Sequence, residues 1–221
     1  DSFLEHEEKY NHWKEDNFPN VKDETKHFIE HLINPKREIQ LWKHQIEGVL
    51  RVIYSYEIIG KNNLLLNIVT GGGKTVIIGA CVAWLKYAHQ QDKFLIIVPN
   101  IIVRDRLEKD FVVTKPEDSV FKKFDLFPKD GEPLINELNT HVLESGSGPQ
   151  GILDSGVVLG NIQQFYDSNI SGKRNLHWLI TKVGDLAVFN DEAHNTPARE
   201  YTTVLKILSH KTKFRLDTTA T

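Results

Sequence analysis

The chain has no methionine, one cysteine, no long apolar run and no surplus of positive charge. Each absence excludes something. A single thiol, Cys81, cannot form an internal disulfide, and a chain so poor in cysteine fits an intracellular, cytoplasmic protein. Within its apolar surroundings Cys81 reads as a small buried residue, not a reactive thiol. No apolar stretch approaches the ~20 residues of a membrane span, and no signal-peptide pattern occurs, so no membrane partner is expected. With no Met at position 1, Asp1 is not expected to be the native start. The formal net charge of −3 gives no bulk electrostatic case for nucleic acid. That charge is uneven, however. Residues 1–34 carry nine acids and four lysines, net −5, which leaves net +2 for the rest. Any nucleic-acid groove must therefore be a local feature of the later part.

What is present is ordinary for a soluble globular chain: 221 residues, 40% hydrophobic and 26% charged. That length suits one large domain, or one domain with an appendage, able to bury roughly 70% of its extended surface.

One stretch stands out. The apolar run Leu64-Leu65-Leu66-Asn67-Ile68-Val69 leads into Thr70-Gly71-Gly72-Gly73-Lys74-Thr75, and a second apolar run from Val76 to Leu85 leads out. This predicts strand, glycine loop, helix. Such a loop can wrap a phosphate chain with backbone N–H groups, and the helix start adds its dipole. Lys74 would reach the β- and γ-phosphates of ATP, and the Thr75 hydroxyl would ligate Mg²⁺. The strict phosphate-loop pattern asks for glycine where Ile68 stands, so the loop alone leaves ATPase, kinase, GTPase and transporter readings open.

Along the chain, residues 1–40 read as an acidic helical extension; the role of residues 1–34 stays open, with a docking helix for other parts of a larger protein as one reading. His27 and His31 are spaced i, i+4, but nothing nearby completes a metal set, so packing or solvated histidines are expected. A helix opens at Leu41-Trp42-Lys43-His44-Gln45, with Ile46, Val49, Leu50 and Ile53 on its buried face. The Gln45 amide offers a donor and an acceptor together, which suits an adenine edge. Phe94–Val98 reads as a strand buried on both faces. Asn100 can cap the next helix, and Arg104 and Arg106 could touch a phosphate backbone. Residues 112–154 read as an insertion between strands, with a possible edge strand at 120–126. Strands follow at Val157–Asn161, at Asp185–Asn190 and at Lys213–Asp217. The alternation from residue 64 onward predicts an α/β, doubly wound, mostly parallel sheet, with ligands at the carboxyl ends of its strands.

At one of those ends stands Asp191-Glu192-Ala193-His194. Asp191 can hold Mg²⁺ through its water shell, and Glu192 can take a proton from an attacking water. This box resembles the one after which the DEAH group of superfamily 2 helicases and translocases is named. The glycine loop is similar to that superfamily's phosphate loop, which does not demand the upstream glycine. Leu41–Gln45 resembles its glutamine motif, departing at Trp42. Pro99–Arg106 and Val157–Gln163 loosely resemble its backbone-gripping motifs, which makes Asn161 a candidate contact beside Asn100, Arg104 and Arg106. Thr219-Ala220-Thr221 resembles the motif that couples the nucleotide site to the nucleic-acid site, with His194 as its partner. The stretches Thr70–Thr75 and Asp191–Asn195 look most like restriction-type, type III Res subunit-like translocases.

The resemblance implies a RecA-like P-loop NTPase domain over residues 41–221, using ATP and Mg²⁺ to drive a DNA helicase or translocase of a restriction or defence system. It also implies a second RecA-like domain, bearing arginines and expected outside this chain, and partner subunits of a larger complex. Two alternatives stay open: a nucleotide-dependent nucleic-acid-binding switch module that never translocates, and an RNA-directed DEAH helicase.

Overall fold

The computed structural model describes residues 2–69, 71–113, 115–144, 148–166, 168, 170–191 and 198–220, apart from the side chains of Ser2, Pro116, Ala198 and Glu200. Helices α1 (Ser2–Glu15), α2 (Asp23–Ile33) and α3 (Lys43–Ile53) precede strand β1 (Asn63–Asn67). Helix α4 (Lys74–His89) leads to β2 (Lys93–Val98), and α5 (Ile101–Phe111) follows it. The short α6 (Val120–Lys123), β3 (Thr140–Val142), α7 (Gln150–Asp154), β4 (Val157–Asn161) and α8 (Ile170–Thr181) come next. Strand β5 (Leu186–Asn190), α9 (Ala198–Leu208) and β6 (Thr212–Thr219) complete the order.

The six strands form one sheet, β1-β6-β5-β2-β4-β3, and every pairing between them is parallel. Strands β2, β4 and β5 are buried at every residue, which is why they read as unbroken apolar runs without alternation. On one face Phe94, Ile96, Val98, Phe189 and Phe214 share a core with α1 to α6. On the other, Leu95, Ile97, Val158 and Val188 pack under α7, α8 and α9. The sheet is therefore doubly wound, as expected, and parallel throughout the described residues. Helix α4 is the most deeply enclosed. Its residues from Val76 to Lys86 are all buried, among them Cys81, whose thiol is pushed well up in pKa by that burial.

Two expectations need correction. Residues 120–126 do not form an edge strand: Ser119 caps a short helix by accepting from Lys122 N at 3.3 Å, and Phe121 turns into the core. Residues 112–154 are more than an insertion, because β3 extends the sheet beside β4. The apolar residues of the first two helices turn into the domain. Tyr10, Trp13, Phe28, Ile29 and Leu32 are buried in the same core as α4. Arg51 fixes α1 on α3 by bonding both oxygens of Glu7, at 2.6 and 2.8 Å, while lying 4.3 Å over the Tyr10 ring.

A buried polar latch ties α2 to α4. Glu57, in a π-helical turn that extends α3, accepts from Thr25 Oγ1 at 2.5 Å and from Lys22 N at 2.9 Å, and bonds His89 Nε2 at 2.7 Å. Thr25 Oγ1 in turn accepts from Trp84 Nε1 at 2.9 Å. The paired histidines His27 and His31 face separate carboxylates, Asp130 at 3.4 Å and Asp125 at 3.6 Å, and form no shared cluster.

Burial alone would raise the Glu57 pKa, but the bonds from His89, Thr25 and Lys22 outweigh it and hold the carboxyl below the usual range. The unfolded chain then binds that proton more readily than the folded one. The stabilisation is complete above the ordinary carboxylate pKa and is lost as pH falls through the depressed folded value. Glu57→Gln is expected to cost about 1–3 kcal/mol at neutral pH and to flatten the acid limb of stability, read by urea unfolding across pH 3–6.

Candidate functional site

The sheet order brings the motifs together. The carboxyl end of β1 opens into the glycine loop, that of β5 into Asp191, that of β2 into Pro99-Asn100, and β4 ends at Asn161. Only β6 separates β1 from β5, so the loop and Asp191 start about 10 Å apart across the sheet.

The loop is shaped by close approach. Gly72 N donates to Val69 O at 2.9 Å, closing a turn. A Cβ on Gly72 would lie 2.9 Å from both that carbonyl and Ile68 Cγ2. The isoleucine that breaks the strict pattern is thus buried directly beneath the loop. Gly73 has φ +72°, and a Cβ there would collide with Gln45 Nε2. Its carbonyl accepts from Val76 N at 3.0 Å and begins α4. Lys74 is buried and Thr75 half-buried in the first turn of that helix.

Helix α3 braces this loop. Gln45 is buried; its Oε1 accepts from Trp42 N at 2.9 Å, while its Nε2 lies against Gly73. The group expected to read an adenine edge therefore also shapes the glycine loop. One residue earlier, His44 Nε2 bonds Gly72 O at 2.7 Å. Trp42, where the family pattern departs, is 59% exposed beside the His44 ring.

Asp191 is 1% exposed and fixed on three sides. Its N–H donates to Ile97 O at 3.0 Å, its Oδ1 accepts from Thr218 Oγ1 at 2.9 Å, and its Oδ2 accepts from Arg106 Nη2 at 3.2 Å. On the opposite face of the same strands, Asn190 Nδ2 donates to Asp217, which also pairs with Arg215 and accepts from Tyr201 OH at 3.2 Å. The ends of β5 and β6 are thus locked together on both faces, and the carboxylate has little freedom to turn. The Thr75 hydroxyl at the start of α4 and the Asp191 carboxylate at the end of β5 are both oxygen donors, the type that suits a hard cation such as Mg²⁺.

The four residues expected to touch nucleic acid each have an internal contact or a buried position. Asn100 caps α5 by accepting from Val103 N at 3.0 Å. Arg104 pairs with Asp105 at 2.9 Å, and Arg106 with Asp191. Asn161 is 2% exposed, and its Oδ1 has no hydrogen-bond partner among the described residues. Thr219 ends β6 next to Thr218. Thr70, Glu192, His194 and Thr221 lie outside the described residues.

Sequence reasoning missed two residues, His44 and Thr218. The second was recoverable: along β6 the buried positions alternate as Phe214, Leu216 and Thr218, which selects one threonine from the cluster. Nothing in the sequence marked His44.

The family described as type III restriction enzyme, res subunit, matches residues 38–221. No curated protein sequence matches the chain. Among solved structures, the UvsW helicase from bacteriophage T4 is similar at TM-score 0.58 and 18% identity, over 91% of this chain and 62% of that one. The Sulfolobus solfataricus SWI2/SNF2 ATPase core in complex with dsDNA is similar at TM-score 0.57 and 19% identity, over 86% and 34%. The helicase MrfA bound to DNA gives TM-score 0.55 and 11% identity, over 92% and 25%. This chain thus spans less than two thirds of each of these proteins, and the likeness establishes a RecA-like fold.

Thr218→Val is expected to leave Asp191 Oδ1 without its partner and to destabilise the chain by about 1–3 kcal/mol, with Thr218→Ser close to wild type, as measured by denaturant unfolding.

Proposed function

The chain belongs to the type III restriction enzyme res subunit family, and from that premise we propose that it is the ATP-binding motor domain of a DNA helicase or translocase serving a restriction or defence system. The observation that carries this reading is the convergence, across a single intervening strand, of the Gly71–Thr75 loop and the fixed carboxylate of Asp191. In this reading the backbone N–H groups of the loop and the Lys74 ammonium hold the polyphosphate, with Thr70 at the loop's entry. Thr75 and Asp191 would hold Mg²⁺. When bound, the cation neutralises charge on the β- and γ-phosphate oxygens. Glu192 is assigned as general base for the attacking water. Gln45 takes the adenine edge with whatever hydrogen-bonding capacity its contacts at Trp42 and Gly73 leave.

His194, Thr219 and Thr221 are assigned to coupling, and Asn100, Arg104, Arg106 and Asn161 to the nucleic-acid side. DNA is preferred over RNA because two of the similar structures are described as DNA complexes. Residues 41–221 form the first RecA-like domain, with residues 1–40 as a helical extension packed on it. A second RecA-like domain of the full-length protein supplies the arginines that complete the ATP site, and partner subunits complete the assembly.

ATP turnover by the full-length protein, measured with single- and double-stranded DNA and RNA, tests the reading. DNA is expected to stimulate turnover at least ten-fold, and Lys74→Ala to abolish it. Stimulation by RNA alone would favour the RNA-directed helicase. Nucleotide-dependent DNA binding without turnover would favour the switch module. Residues 1–221 alone are expected to bind ATP–Mg²⁺ weakly and to turn over slowly; turnover comparable to the full protein, lost in Lys74→Ala, would contradict a two-domain site.

A further inference from the structure

Arg106 joins two parts of the site that the motifs treat separately. Its Nη2 lies 3.2 Å from Asp191 Oδ2, yet the arginine side chain is 57% exposed and the aspartate 1%. The two bonds on this carboxylate are unlike each other. Thr218 reaches Oδ1 from the adjoining strand β6, inside the sheet, and its bond is part of the fold. Arg106 reaches Oδ2 from solvent, through a long side chain on α5, by a single N–H.

A buried carboxylate is strongly destabilised without a cationic partner. An exposed arginine loses little when it exchanges one anion for another. The pair is therefore asymmetric. Asp191 requires a partner, whereas Arg106 can leave if something else neutralises Asp191. Two competitors have the right chemistry: a hard divalent cation for the Asp191 carboxylate, and a phosphodiester for the guanidinium, whose planar fork matches phosphate. Neither Asn100 nor Arg104 offers the same exchange, because Asn100 caps its own helix and Arg104 is paired with the adjacent Asp105.

We propose that Arg106 is a positioning residue that neutralises the Asp191 carboxylate through Oδ2 and exchanges it for a nucleic-acid phosphate when a cation takes over that role, so that DNA binding and uptake of the Mg²⁺–nucleotide favour each other. This rests on Asp191 being the metal carboxylate of the proposed ATP site. Any such linkage is reciprocal: DNA raises Mg²⁺ affinity by the factor by which Mg²⁺–nucleotide raises DNA affinity.

The test is a Mg²⁺ titration of the binding of a fluorescent, non-hydrolysable ATP analogue to the full-length protein, with and without a short DNA, for wild type, Arg106→Gln and Arg106→Lys. In wild type, DNA is expected to lower the Mg²⁺ midpoint about five-fold or more. Arg106→Gln is expected to show the lowered midpoint without DNA, no further shift on adding DNA, and a DNA-binding salt slope smaller by about 1. Arg106→Lys, which keeps the charge, is expected to retain the DNA-dependent shift. A merely structural role would lower the melting temperature of Arg106→Gln without lowering its Mg²⁺ midpoint, and that result overturns the proposal, as does a DNA shift that survives in Arg106→Gln. Wild-type protein that binds the analogue no better than Lys74→Ala at any Mg²⁺ concentration overturns the ATP-site reading itself.

Discussion

The structure turns on giving a carboxylate enough partners where almost no water reaches it. Asp191 stands at the end of an interior strand with 1% exposure. An unpartnered ion in such a place would be destabilised by several kcal/mol. The surrounding architecture answers that demand: a backbone bond to β2, a hydroxyl from β6 and a guanidinium from α5. Each comes from a different element, so the site is defined only when β2, β5, β6 and α5 are all in register. A parallel sheet with every strand end on one edge supplies that arrangement, and local sequence alone cannot.

The glycine loop follows the opposite logic. It is shaped by lack of bulk, with Gly72 pressed on Ile68 and Gly73 on Gln45. Helix α3 then fastens it through His44 and Gln45, and α3 is itself held by Glu7 of α1 through Arg51 and by the Glu57 latch. The acidic first segment is thus mechanically continuous with the loop. Its charges lie largely outward, while Tyr10, Trp13, Phe28 and Leu32 are fully or almost fully buried.

Much of this was legible in the residues. Unbroken apolar runs marked β2, β4 and β5, because strands covered on both faces need no alternation. The glycine loop and the acidic box marked two strand ends, and the fold placed both on one edge. Other features were hidden for physical reasons. Strand β3 has three half-buried residues, too few for any period to register. Residues 120–126 mix aromatics and lysines in a way that suits either a strand or a capped turn, and the Ser119 cap decides it. The aromatic residues of α1 were masked by the charges between them. His44 and Arg106 make contacts between elements far apart in sequence, and such pairings cannot be read from spacing.

The depth of α4 has a practical consequence for watching the protein at work. Its one thiol is wholly enclosed, and burial disfavours the thiolate that alkylating reagents attack. Residues 1–221 are therefore close to a cysteine-free background for site-specific labelling. A cysteine placed at exposed Ile102, on the first turn of α5, would take a maleimide dye at that position alone. Fluorescence from it would report the surroundings of that helix with no need to remove Cys81 and disturb the core.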